Sequence, residues 1–170
     1  MKNQIILILS LLLLVFSSSC NHNVPLKVDL KAEKQAVGNV LEKYIIANEN
    51  KDFPMIEKIW APNSNILLFG TDTDEKLIGW DNIQAAIKKQ FSSISNTYIS
   101  LSDQSINVDS TGTTAWFAEV MNYNFVYQGK ARSYEGVRFT GVLEKRADGW
   151  KLVQAHLSIP AHTDIKNHGE

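Results

Sequence analysis

The side chains best suited to chemistry lie late in the sequence, where they recur at strand spacing. His156 is the candidate catalytic acid or base, because the pKa of histidine lies close to neutrality. A hydroxyl group from Thr140 or Ser158 can hold one tautomer of the imidazole ring by hydrogen bonding. A structural role for His156 is the alternative that the sequence leaves open.

The first of two predicted turns aligns His156 with its neighbours. Ala147-Asp148-Gly149 is typical of a three-residue hairpin loop closed by a glycine bulge, which places Arg146 opposite Trp150. Counting back along both strands then places Thr140 opposite His156. By the same count, Arg138 lies opposite Ser158.

The second predicted turn extends the alignment to the preceding strand. If Gln128-Gly129 is a two-residue loop, Tyr123 lies opposite Tyr134 and Glu119 lies opposite Arg138. A guanidinium group beside a carboxylate lowers the pKa of the carboxyl, which makes it a poor base near neutrality. Glu119 is therefore interpreted as an orienting residue.

Because side chains alternate along a strand, these registers predict one polar and one apolar face. The polar face carries Glu119, Tyr123, Tyr134, Arg138, Thr140, Gln154, His156 and Ser158. The apolar face carries Val120, Val137, Phe139, Val153, Ala155 and Leu157. Either the polar face meets water, or it lines a pocket and the apolar face serves a dimer contact. Phe117, Met121 and Phe125 share the Glu119 face, which favours the pocket.

Other sites receive less support from the sequence. Trp60 is placed at the pocket, although tryptophans at these intervals also suit a core. No His/Asp/Glu spacing matches a set of metal ligands, and no phosphate loop or nucleophile elbow occurs. The sequence therefore predicts no metal and no cofactor.

Three helices are expected in the first part of the chain. The first extends from Asp29 onward, where apolar residues recur at helical spacing. Asp52 is placed to cap a short second helix through Trp60, and Asp81 to begin a third with Gln84 as its capping-box partner.

Extended segments dominate the rest of the chain. Residues 66–69 and 76–78 predict a small hairpin, and four long segments follow at residues 98–108, 114–127, 131–146 and 150–159. Helices followed by a meander of strands indicate an α+β domain, with one curved antiparallel sheet and the three helices packed on one face.

The closing stretch, residues 138–145 and 148–158, resembles the SnoaL-like branch of the nuclear transport factor 2-like superfamily. The elements Arg-x-Thr, Asp-Gly-Trp and His-x-Ser carry this resemblance. Trp60 and the pair Gly79-Trp80 are also similar, so the resemblance covers residues 30–160. It implies a cone-shaped α+β barrel, often dimeric, with a pocket between sheet and helices. It implies no single function, because one fold hosts many activities.

The chain begins with the features of an export signal. Lys2 is followed by the run 5–16, apolar except for Ser10, and by three serines before Cys20, the only cysteine. Residues 16–20 resemble a bacterial lipobox, which implies lipid attachment at Cys20. An ordinary secretory signal is the alternative, since Ser17 stands where leucine is usual.

These features divide the chain into a signal peptide (1–19), a lipidated tether (20–28), a SnoaL-like domain (29–160) and a polar tail (161–170). With 17 basic and 18 acidic residues, no strong charge points to nucleic acid. We expect an exported protein of the bacterial cell envelope, anchored to the membrane through Cys20. Asn21 weakly favours the outer membrane.

The leading hypothesis is a ligand-binding domain for a small, partly apolar organic molecule. Arg138 would then favour an anionic or carbonyl group, with Trp60, Glu119, Tyr123, Thr140 and Ser158 around the ligand. One alternative is an isomerase, cyclase or dehydratase using His156. The other is a non-catalytic module that dimerises or docks through the sheet.

Overall fold

The computed structural model describes residues 28–161, and the predicted α+β architecture is confirmed. The helices are α1 (Leu30–Asn50), α2 (Phe53–Ile59) and α3 (Trp80–Ser93). The strands are β1 (Leu67–Phe69), β2 (Lys76–Ile78), β3 (Ile94–Val108), β4 (Thr114–Tyr127), β5 (Lys130–Arg146) and β6 (Gly149–Ser158). The predicted signal peptide, Cys20 and the tail beyond residue 161 lie outside the described residues. No helix within residues 28–161 is long and apolar enough to cross a membrane.

Two of the three helices begin after an aspartate side-chain cap, and the one at Asp52 was predicted. Asp29 accepts hydrogen bonds from the backbone of the first turn of α1, and Asp52 accepts one from the Met55 N–H at 3.0 Å. The third helix differs, because α3 begins one residue earlier and Gly79 precedes it without a side-chain cap. Gln84 donates to the Asp81 carboxylate at 3.0 Å instead of completing a capping box.

The six strands form one sheet in the order β2-β1-β6-β5-β4-β3. The predicted small hairpin is present as the antiparallel pair β1 and β2. Strand β1 lies parallel to β6, however, so the sheet is mixed rather than wholly antiparallel. The intervening chain, with β2, α3 and β3 to β5, supplies the long connection that a parallel pair requires.

One face of the sheet packs against the helices and forms the core; we call it the inner face, and its opposite the outer face. Phe139 on β5 stacks on Tyr44 of α1 with ring centroids 5.2 Å apart, and meets the edge of Phe117 at 4.8 Å. Val137 and Ala155 are buried on the same face. Most of the apolar face expected to form a dimer contact is therefore covered by the chain's own helices, whereas Val120 lies opposite Arg138 on the outer face.

Irregular positions bend the long strands around this core. Asn96, Asp103 and Gly136 each have a positive φ, and each lies where the pairing register shifts by one residue. An extra residue of this kind bends its strand and increases its twist. These bulges give the sheet the curvature that leaves room between its inner face and α3.

The turn between β5 and β6 differs from the prediction, but the register beyond it does not. Arg146 pairs with Gly149 rather than with Trp150, so the loop has two residues. Val153 is then an extra residue on β6, between Leu152 and Gln154. This second irregularity restores the predicted alignment farther along, where Thr140 lies opposite His156 and Arg138 opposite Ser158.

Candidate functional site

Two adjoining cavities lie between the inner face of the sheet, α3 and the loop that joins β1 to β2. The wide cavity has a volume of about 720 Å³ and opens among exposed residues such as Lys89 and Arg132. The narrow cavity, about 150 Å³, extends inward to Tyr44 and Met121. Both are lined by the same seven residues at their junction, Thr71, Glu75, Leu77, Ala86, Gln90, Tyr123 and Leu157. We treat them as one candidate site.

Alternating residues of β4 and β5 form the aromatic wall of this site. Tyr123 lies opposite Tyr134, and Phe125 lies opposite Arg132 one step nearer the opening. The Phe125 ring contacts both tyrosines, at centroid distances of 5.7 Å to Tyr123 and 5.4 Å to Tyr134. Tilted contacts of this kind suit the charge distribution of aromatic rings. The wall therefore offers an apolar surface for a flat or apolar molecule.

A hydrogen-bonded pair lies where the two cavities meet. Gln90 of α3 donates through Nε2 to the Tyr123 hydroxyl at 3.0 Å. Burial, and the nearby Tyr44, raise the pKa of the Tyr123 phenol far above its ordinary value, although the Gln90 bond opposes this. The phenol therefore stays protonated near neutrality. Because its oxygen accepts from Gln90, the hydroxyl still has its own proton to donate to another acceptor.

The narrow cavity ends at polar groups of α1. Burial raises the pKa of the Tyr44 phenol to about 12, so this group is also neutral near physiological pH. Asn48, one turn later, donates from Nδ2 to the Tyr44 carbonyl oxygen at 2.8 Å and lines the same cavity. The inner end thus combines neutral polar groups with apolar side chains.

Glu119 was expected at this site, but it lines neither of the two cavities. It faces inward, as Tyr123 does, but it pairs with Phe139 and not with Arg138. Its side chain is 2% exposed, and Oε2 accepts from Gln104 Nε2 at 2.7 Å. The predicted pairing of Glu119 with Arg138 is wrong, because the bulge at Gly136 moves Arg138 to the outer face.

Four of the predicted residues share a face, as expected, but that face is the outer one. Arg138, Thr140, His156 and Ser158 remain aligned across β5 and β6, and none of them lines either cavity. Arg138 and His156 are exposed to solvent. The His156 ring meets the edge of Phe69 on β1 at 5.9 Å. The structure thus separates this group from Tyr123.

Trp60 lies in the core rather than at either cavity. Its side chain is 1% exposed, and its backbone forms a parallel bridge with Leu152 of β6. The indole Nε1 has no hydrogen-bond partner within the described residues. Among residues 28–161, no cluster of three or more His, Cys, Asp or Glu side chains is arranged to hold a metal ion.

Several residues of the site were not identified from the sequence. Gln90 and Lys89 lie on α3, far in sequence from the sheet residues that they approach, and Arg132 lies on β5. One signal for Arg132 was present, because a glycine inside a strand pattern, here Gly136, indicates a bulge. A bulge there reverses the face on which Arg132 and Tyr134 lie relative to Arg138.

Solved structures with similar folds come from several bacteria. A nuclear transport factor 2-like superfamily protein from Salmonella enterica serovar Typhimurium has a TM-score of 0.71 and 18% identity, covering 82% of this chain and 99% of its own. The Kfla4162 protein from Kribbella flavida has a TM-score of 0.69 and 13% identity, covering 80% and 96%. A Streptomyces avermitilis protein, whose name proposes a dehydratase of the same superfamily, has a TM-score of 0.69 and 18% identity, covering 78% and 99%.

These identities are low, so the structures establish the fold and carry no activity to this chain. No curated protein matches the sequence. The family model for the SnoaL-like domain matches residues 37–162, most of the chain, and covers α1 from its second turn through the end of the sheet. The chain therefore belongs to the SnoaL-like domain family of the nuclear transport factor 2-like superfamily.

Proposed function

We propose that this domain binds a small, partly apolar organic molecule in the joined cavities. The observation that carries the proposal is the Tyr123–Gln90 pair, a neutral hydrogen-bonding group at the junction of the two cavities. The volume of the wide cavity lies within the range of about 300–1,000 Å³ typical of ligand pockets. An apolar lining with a few oriented polar groups is also typical of such pockets.

Native mass spectrometry of the full-length chain, purified in detergent, tests this proposal. We expect a bound small molecule that is released on denaturation. Ala86 lines both cavities, so Ala86→Trp should fill their junction and abolish the bound mass. Ala85, its exposed neighbour on α3, provides the matched control Ala85→Trp, which should retain it. Equal occupancy in the two variants would contradict binding in this site.

An isomerase, cyclase or dehydratase is a second candidate, although His156 lies away from the cavities. The observation in its favour is that the Glu75 carboxylate lines both cavities together with Tyr123. Proton transfer beside a carbonyl requires a carboxylate base and a hydrogen-bond donor such as a phenol, both within reach of the bound ligand. Incubating the released ligand with wild-type and Glu75→Gln protein tests this, since only the wild type should convert it.

We further propose that the chain is held at the membrane of the cell envelope through lipid on Cys20, and that it forms a homodimer. The outer face supports a dimer contact, because Trp116 is 49% exposed and lies opposite Val142 there. A mass that rises with concentration in sedimentation experiments is expected. A constant monomer mass would contradict the dimer and leave ligand binding unaffected.

A further inference from the structure

Charged side chains of both signs line the wide cavity, but they differ in what they already bind. Asp72 and Glu75 come from the loop between β1 and β2, Lys89 from α3, and Arg132 from β5. The formal charges of these four groups cancel. Whether the site prefers an anionic or a cationic ligand therefore depends on which of these four groups already form hydrogen bonds or ion pairs within the protein.

The two carboxylates are bound within their own loop. Asp72 Oδ1 accepts from the Thr73 N–H at 2.9 Å, and Glu75 Oε2 accepts from the Asp72 N–H at 3.2 Å. The Glu75 N–H in turn donates to the Asp72 carbonyl oxygen at 3.2 Å. Hydrogen bonds to the charged form of a carboxylate stabilise that form and fix the position of the group. These acids hold the loop closed on itself.

The two cations, in contrast, have no such partners in the described part of the chain. The ion pairs within residues 28–161 are formed by other residues, namely Lys145 with Glu33, Arg146 with Glu144 and Lys151 with Asp148. The side-chain nitrogens of Lys89 and Arg132 form no hydrogen bond there either. Both cations are thus available to a ligand in the wide cavity.

The sheet also sets the spacing between Arg132 and the neutral donor. Arg132 lies opposite Phe125. Tyr123 precedes Phe125 by two residues on β4 and lies on the same face. Two residues of a strand span about 7 Å. The flat Phe125 ring occupies this interval, in contact with Tyr123. A flat ligand with one polar group at each end of an aromatic ring matches this backbone spacing.

We infer that the ligand of this site is a flat organic carboxylic acid. Its carboxylate binds Arg132 and Lys89 near the opening, and a neutral oxygen acceptor at its other end binds Tyr123. A guanidinium group matches a carboxylate in two parallel hydrogen bonds, which gives geometric as well as electrostatic preference. The inference rests on the proposed function, since it specifies the ligand class of the same site.

The test uses two probes that share one flat scaffold and differ at one end, the anion 4-hydroxycinnamate and its neutral methyl ester. Both are titrated calorimetrically into the full-length chain at low ionic strength, because salt screens charges near the surface. We expect the acid to bind about tenfold more tightly than the ester. Arg132→Gln should weaken binding of the acid about tenfold and leave the ester unchanged.

Arg138 supplies the matched control, because it lies on the same strand but on the outer face. Arg138→Gln should bind both probes as the wild type does. Both arginines are exposed, and equal melting temperatures of the two variants establish that each folds. Equal affinity for acid and ester, or equal weakening of both by Arg132→Gln, would overturn the inference.

The outcomes also distinguish a failure of this inference from a failure of the proposed function. If acid and ester bind equally and Ala86→Trp abolishes both, the site binds organic ligands but does not select anions. If neither probe binds at millimolar concentration, the proposed ligand class is wrong, and the native mass spectra decide whether the site holds another kind of molecule. Binding of the acid that survives Ala86→Trp would place the probe elsewhere and contradict the inference, and the native mass spectra would still decide the proposed function.

Discussion

Glu119 is a buried carboxylate whose surroundings suit its charge poorly. It is 2% exposed, and although Gln104 donates to Oε2, the other carboxylate oxygen has no partner within the described residues. Burial is the main cause that raises the pKa of its carboxyl, and the Gln104 hydrogen bond opposes the rise. The folded chain therefore holds the proton of Glu119 more tightly than the unfolded chain does.

We predict that Glu119→Gln makes stability less dependent on pH. Because folding raises the carboxyl pKa, Glu119 stabilises the fold most at pH values below the ordinary carboxyl pKa of 4.5. This contribution is lost as the pH rises through the raised pKa. Glutamine keeps an oxygen for Gln104 and has no charge to bury. The variant should be more stable than wild type by about 1 kcal/mol at pH 8, with the difference vanishing near pH 4.

Urea unfolding at a series of pH values measures this difference. Glu135→Gln is the matched control, because Glu135 is an exposed carboxylate of the same sheet and its replacement should leave the pH profile unchanged. A stability difference for Glu119→Gln that stays constant from pH 4 to pH 8 would show that the carboxyl titrates alike in both states.

At the scale of the strand, one bulge decides which arginine faces the site. Glu135 and Gly136 together oppose the single residue Asn122, so the side-chain alternation of β5 reverses between Tyr134 and Arg138. An uninterrupted register places both on one face, which is the sequence-based prediction. Turn chemistry predicted the hairpin correctly from Gln128-Gly129 as far as Tyr134, because local rules govern the first few pairs.

We predict that this bulge depends on two residues acting together. Gly136 has a φ of +66°, and its N–H donates to Asn122 Oδ1 at 3.0 Å. Gly136→Ala should cost about 1–2 kcal/mol because a Cβ disfavours this conformation, and Asn122→Ala about 1 kcal/mol because an N–H loses its partner. The double variant should lose less than the sum, since both changes disrupt one feature.

Denaturant unfolding of the four proteins in this cycle gives the coupling energy. Asn124→Ala is the control for Asn122→Ala, because Asn124 is the next residue on the same face of β4. Strictly additive losses would mean that the side chain of Asn122 does not support the bulge.

The hairpin of β5 and β6 shows why a correct register does not prove a correct turn. The predicted three-residue loop was one residue too long, and the extra Val153 compensates for it. Thr140 thus lies opposite His156 as predicted, although the assumed turn was wrong. Helix positions were predictable from capping and periodicity, because those signals are local. Which face of the sheet the helices cover depends on tertiary packing, which alternation alone does not determine.

At the scale of the whole molecule, the candidate lipid attachment and the ligand site are separate features. Cys20 precedes the start of α1 at Leu30 by ten residues, which reach at most about 36 Å when fully extended. The cavity lining comes from α1, α3, the β1–β2 hairpin and the strands, between Tyr44 and Leu157. Under the anchoring proposal, the domain meets its ligand close to a membrane surface.

We predict that Cys20→Ser moves the chain from the membrane fraction to the soluble fraction and leaves ligand binding unchanged. Stable anchoring needs more than one acyl chain, and a lipidated cysteine carries several acyl chains at a single residue. Serine has no sulfur to carry the lipid and cannot replace it. Fractionation, with metabolic labelling by an alkyne fatty acid, should show label in the wild type and none in the variant. Calorimetric titration with 4-hydroxycinnamate should give the same affinity for both within about twofold. An unlabelled, soluble wild type would favour an ordinary secretory signal, whereas loss of binding in soluble Cys20→Ser would show that anchoring and the site depend on each other.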